Sequence, residues 1–130
     1  MNTRDNQVTD KATIPQILFH LVPKKLFSKY LDKNGNYDCR NKQEWGMNSD
    51  FIHTTTTRKD LKEKVADQNW KNYPKETEFV LLRIDSDKIE SEFTYAVYNG
   101  TTYYHIWGLL PKDSFEVIEI TRNDDGTFNI

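Results

Sequence analysis

The chain has one cysteine, Cys39, in 130 residues. A single thiol cannot close an internal disulfide, and it excludes any metal site built from several thiolates. Nothing beside Cys39 in the sequence would lower a thiol pKa, so it reads as inert rather than nucleophilic. An excess of one charge is missing too: 18 lysines and arginines stand against 20 aspartates and glutamates. Without a basic footprint, binding to a phosphate backbone is not expected, and nucleic acid is set aside as a partner. No apolar run approaches the roughly 20 residues that span a bilayer. "MNTRDNQVTDKAT" lacks the apolar core of a secretory signal. The expectation is a cytoplasmic protein without membrane contact. Internal repeats and low-complexity linkers are absent as well.

What is present suffices for one core. Hydrophobic residues make up 36% of the chain and aromatic residues 13%, a composition that folds, at a length that holds a single domain. Residues 1–13 are polar, without apolar spacing, and read as a disordered tail, leaving 14–130 as one folded domain. "ILFHLV", Ile17 to Val22, is a continuous apolar run and reads as a strand buried on both faces. Pro23 suits the first turn of a helix, and Leu26, Phe27, Tyr30 and Leu31 repeat at helical spacing up to a stop at Gly35. "YDCRNKQEWGMNS" is loop-like, with Trp45 and Met47 as packing anchors. "DFIHTTT" reads as a second strand. One of Thr55, Thr56 or Thr57 then caps a second helix carrying Leu61, Val65 and Trp70. The charged run over this helix is its solvated face, with pairs such as Asp60 and Lys64.

The second half is mostly extended. "EFVLLRIDS" is the clearest buried strand, interrupted by Arg83, which needs a partner or an exposed face and reads as a structural ion-pair partner or a phosphate ligand. "DKI" makes a short turn or helix. "FTYAVYNGTTYYHIWGLLP" is a hairpin turning at Asn99 and Gly100. "FEVIEITRN" alternates, with Phe115, Val117, Ile118 and Ile120 loosely inward, and Asp125 and Gly126 turn the chain into a last short strand. The order βα, βα, then β gives an α+β class with the helices early.

The chemistry concentrates in three histidines, the side chains suited to titrate near neutrality. His20, His53 and His105 all fall inside predicted strands. Residues two apart on a strand share a face, so His53 goes with Phe51 and Thr55, and His105 with Tyr103 and Trp107. Each histidine alone is explained by a hydrogen-bonded core or edge position. Three together also fit a shared site. Three imidazoles can hold zinc, but no HxH or HExxH pair occurs and the site is read without a metal. Alternatively, imidazoles and threonine hydroxyls hold a ribose while Tyr103 or Trp107 stacks on a flat ring.

"ILFHLVP", "DFIHTTT", "EFVLLRID" and "YYHIWGLLP", in that order, resemble a small bacterial family known as domain of unknown function 952, over roughly Ile17 to Ile120. The resemblance implies an ADP-ribosylation-like fold: two small packed β-sheets forming a cleft, with two or three helices at one side. It implies a cleft for NAD or an ADP-ribose-like nucleotide and, if the domain is active, a glycosyl transfer like that of ADP-ribosyltransferases. By the same resemblance His20, His53 and His105 stand at the reacting ribose, and Thr54, Thr55, Tyr103 and Trp107 line the ligand. The free NH groups near Thr57 and Arg58 would face an anion. The chain departs from the pattern twice. Ala96 stands where family members often carry a glutamate, with Glu92 nearby, and Tyr104 replaces a proline before the last histidine. The departure at Ala96 keeps a second expectation open, a non-catalytic module that binds a small ligand or a partner protein.

Overall fold

The computed structural model describes residues 6–38, 52–61, 74, 76–124 and 128–130. The expectations for Cys39, Trp45, Met47, Lys64, Val65, Trp70 and the turn at Asp125 and Gly126 lie outside these residues.

The apolar run before Pro23 forms strand β2, Ile17–Pro23, after a two-residue strand β1, Asn6–Gln7. Pro23 ends the strand with an extended ψ of 135° and opens helix α1, Lys24–Tyr30. As proline has no backbone donor, the ladder passes to the next residue: Lys24 donates its NH to the carbonyl of Glu78 at 2.9 Å. Phe27 and Tyr30, three apart on the helix, are its buried pair. Both meet the fully buried Tyr37, Phe27 stacked at 5.6 Å and Tyr30 edge-on at 6.3 Å. Beyond the helix, the Asp32 carboxylate accepts the NH groups of Asn34 and Asn36. Gly35 takes a φ of +85° that suits glycine. The Asn36 NH, above all, holds the Asp32 carboxyl below its ordinary pKa.

The chain continues through β3, Tyr37–Asp38, and β4, Ile52–His53, to β5, Phe79–Asp85. β6, Glu92–Tyr98, and β7, Thr101–Trp107, form the hairpin, followed by β8, Leu109–Leu110, and β9, Phe115–Glu119. Three antiparallel sheets result, in the orders β1-β6-β7-β4, β2-β5-β9 and β3-β8. The architecture is α+β, as the sequence implied, with small antiparallel sheets. Among the described residues no helix is long and apolar enough to cross a membrane.

β5 is central in its sheet, which explains its unbroken apolar run. Its pleat divides the residues between two clusters: Val80, Leu82 and Ile84 join the larger, and Phe79 and Leu81 the smaller. Leu18 and Val22 of β2 also join the larger cluster, so His20 shares their side of the strand. The larger cluster fills the space toward the other sheet, reaching Ile52, Phe93 and Ile106. Burying residues of this size stabilises by about 1.5–3 kcal/mol each.

Two expectations change. Residues 6–13, read as tail, hold β1 and a short 3-10 turn at Lys11–Thr13 capped by the Asp10 side chain. Their pairing runs through the backbone, Asn6 opposite Tyr95 and Gln7 opposite Thr94, and so leaves no apolar trace. Val117 is exposed rather than inward, because β9 is an edge strand. Arg83 is itself exposed, at the end of the side of β5 that carries Phe79 and Leu81, with Phe19 and Glu116 as its cross-strand neighbours.

Candidate functional site

Residues 52–55 form a step between the two larger sheets. Ile52 and His53 pair with Ile106 and His105 of β7, and the Thr54 NH donates to the Tyr104 carbonyl at 3.0 Å. One residue later the partner changes: Thr55 and Phe19 of β2 exchange both backbone hydrogen bonds at 2.9 Å. The β-branched run that read as one strand is therefore an edge of both sheets.

The histidines gather at this step. His53 and His105 are direct cross-strand partners, with ring centroids 4.7 Å apart and planes tilted by 75°. The His53 side chain is exposed, whereas His105 is buried. His20, buried on the core side of β2, approaches from the other sheet, its Nδ1 2.7 Å from the His53 carbonyl oxygen. A carbonyl can only accept, so that nitrogen carries the proton and donates. The other two histidines thus bear on His53, His105 through its ring and His20 through the backbone carbonyl.

The hairpin sets the rest of the face. Asn99 and Gly100 take φ values of +51° and +79°, the pattern of a two-residue turn whose twist matches the strands. Counting back from it, Tyr98 faces Thr101, Ala96 faces Tyr103, Thr94 faces His105, and Glu92 faces Trp107. Glu92, Thr94, Ala96, Tyr103, His105 and Trp107 therefore share one side of the sheet with His53. Thr94 is fully buried, and its hydroxyl oxygen accepts the Trp107 indole NH at 2.8 Å. That bond fixes the edge of the indole.

Thr54 and Thr55 are almost completely buried. Their hydroxyls donate to the carbonyls of Tyr104 at 2.7 Å and Thr57 at 3.2 Å. They serve the backbone of the step. Thr57 is the helix cap, accepting the Asp60 NH at 3.0 Å. Thr56 reaches the Asp60 carboxylate at 3.4 Å, which puts a negative group at the helix start where an anion was expected. Among the described residues no set of three or more His, Cys, Asp or Glu side chains converges on a metal position. A depression of about 380 Å³ lies on the opposite side of the hairpin, lined by Tyr95, Thr102, Tyr104 and residues near the N-terminus, away from the histidine rings.

Sequence reading missed Thr94 and left the register of Glu92 open. The turn at Asn99 and Gly100 was the signal that could have found both, since a two-residue hairpin fixes every pair behind it.

A family model described as "Protein of unknown function (DUF952)" matches residues 27–118, more than half of the chain. No curated protein matches the sequence. Among solved structures, the chain is similar to the crystal structure of protein CC0527 from Caulobacter crescentus, at 14% identity and a TM-score of 0.63. The match covers 87% of this chain and 93% of that one, and a double mutant of the same protein matches equally. At that identity the likeness speaks for the fold alone.

Proposed function

This chain belongs to the DUF952 family, and from that premise we propose that the side of the sheet bearing His53, His105, Tyr103 and Trp107 binds a nucleotide of the NAD or ADP-ribose type. The fold that accompanies this reading is the ADP-ribosylation-like one, with two small sheets joined along residues 52–55. The observation that supports it is the convergence of His20 and His105 on His53, beside an oriented indole. In this reading the exposed His53 meets the ribose hydroxyls and Trp107 or Tyr103 stacks on a planar ring. His105 backs His53. His20 positions residue 53 through its carbonyl, and Thr54 and Thr55 hold the wall.

Turnover requires a carboxylate to stabilise positive charge growing on the ribose. Glu92, on the same side of the sheet and opposite Trp107, takes that part. The bond from ribose to nicotinamide breaks, nicotinamide leaves neutral with the electron pair, and an acceptor oxygen loses its proton as it attacks. Ala96, opposite Tyr103, stands where a glutamate would otherwise serve, and keeps a second reading in which the same face binds without turnover.

The test is an NMR titration of the histidine ring and Trp107 indole resonances with NAD, ADP-ribose and nicotinamide, each added separately. Saturable shifts at His53 and His105 are expected. No shift with any of the three removes the nucleotide reading. Nicotinamide release from NAD that disappears in Glu92→Gln supports turnover; binding without release supports the second reading.

A further inference from the structure

The depression on the far side of the hairpin contains none of the histidines. Phe93 and Ile106, paired across β6 and β7, belong to the larger core cluster. The next pairs on that side, Tyr95 with Tyr104 and Val97 with Thr102, run past the core toward the turn. Residues 7–13 fold over this end: Gln7 pairs with Thr94, the Val8 NH donates to the Phe93 carbonyl at 3.0 Å, and the 3-10 turn closes on its Asp10 cap. The space between them measures about 380 Å³. Two of its lining residues, Val8 and Tyr104, pack against the core cluster, and Gln7, Asp10, Tyr95 and Thr102 add polar groups.

Among the described residues, the side chains of Gln7, Tyr95 and Thr102 make no hydrogen bond. Asp10 gives one carboxylate oxygen to the Ala12 NH at 3.0 Å and keeps the other. Amide, hydroxyl and carboxylate together both donate and accept. No lysine or arginine lines the space, and Lys11, the basic residue of the covering segment, donates its ammonium to the Ile89 carbonyl. A phosphate or carboxylate would therefore meet the Asp10 charge without a counter-ion, which sets anions aside. From this combination we propose that the depression binds one neutral pyranose ring. The C–H face of a sugar lies against the negative face of an aromatic ring, supplied by Tyr95 or Tyr104. Its hydroxyls, each a donor and an acceptor, meet Asp10, Gln7 and Thr102. Small-molecule pockets run from roughly 300 to 1,000 Å³, so this volume suits a single ring rather than a dinucleotide.

The test is a ¹H–¹⁵N titration of the full chain with methyl α-D-glucopyranoside, methyl β-D-galactopyranoside and N-acetyl-D-glucosamine. Tetramethylammonium chloride and inorganic phosphate serve as the cation and anion controls. A ligand of roughly a dozen heavy atoms binds in the millimolar range, so each titration runs to about 50 mM. Saturable shifts with at least one sugar are expected at the amides of Gln7 to Asp10 and of Tyr95, Thr102 and Tyr104, with the His53 and His105 rings unmoved. Asp10→Asn keeps an oxygen for the Ala12 NH but removes the charge, and Tyr95→Ala removes one ring; each should weaken binding about fivefold or more. Should Tyr95→Ala not fold, Asp10→Asn decides alone. The proposal is overturned if no sugar moves these amides, if tetramethylammonium or phosphate moves them instead, or if either folded variant binds as tightly as the wild type. In the nucleotide reading NAD shifts the histidine rings, which a pyranoside leaves alone, so either reading can fail by itself.

Discussion

Replacing Thr94 by valine tests the register of the whole site face. Valine keeps the branched shape but offers no oxygen, so the Trp107 indole NH loses the acceptor it holds at 2.8 Å. Thr94 is fully buried, and water cannot easily take the vacated place. An abandoned buried donor costs about 1–3 kcal/mol. Trp107 is only half-buried, which puts the expected loss near the lower end, about 1–1.5 kcal/mol. For a domain of this length, 1 kcal/mol moves the melting temperature by roughly 4 °C, so Thr94→Val should melt about 4–6 °C below the wild type. Thr94→Ser keeps the oxygen and loses a methyl group, about 0.8 kcal/mol of burial. The two variants differ more sharply in the indole. Its proton resonance should move upfield in Thr94→Val and stay within about 0.2 ppm in Thr94→Ser, as hydrogen bonds shift with their acceptor. Melting by near-ultraviolet circular dichroism and a ¹H–¹⁵N spectrum give both numbers. A valine variant with an unmoved indole resonance and full stability would refute the pairing of Thr94 with Trp107, and with it the common side assigned to Glu92, His105 and Trp107.

Three other outcomes follow from the packing. Ile106→Ala, at a fully buried position between the sheets, should cost about 2–5 kcal/mol in urea unfolding, whereas Val97→Ala at a largely exposed position should stay within about 0.5 kcal/mol. Gly100→Ala meets no atom within 4 Å but must adopt a φ of +79°, so the loss should be about 1 kcal/mol from backbone strain alone; an unchanged midpoint would contradict the assigned turn. The Asp32 carboxyl is held below its ordinary pKa by the NH groups it accepts. Its contribution is therefore present above the unfolded-state value and is lost as pH falls through the lower folded-state value. Asp32→Asn should narrow the stability difference between pH 6 and pH 2.5, read from thermal melts.

The sequence displayed what side-chain burial controls. Phe79 to Ile84 read as a core strand because both of its faces are buried, and Asn99 with Gly100 read as a turn because two consecutive positive φ values suit few residue pairs. The gathering of the histidines was legible only as a hope, since 33 residues separate His20 from the carbonyl it meets. β1 was invisible because its pairing uses backbone atoms that every residue carries. The roles of Thr54 and Thr55 could not be read either. A threonine whose hydroxyl holds a neighbouring carbonyl and one whose hydroxyl awaits a ligand have the same letter, and only the change of partner at the step tells them apart.

That step also ties the two sheets together through their backbones. The Thr55 and Phe19 amides are locked by each other's carbonyls, Thr55 two residues along the chain from His53. A molecule that bound His53 only while this latch is closed would add to the cost of opening it and slow deuterium uptake at both amides. Hydrogen exchange at Phe19, on the neighbouring sheet, would then gauge occupancy of His53 from a distance.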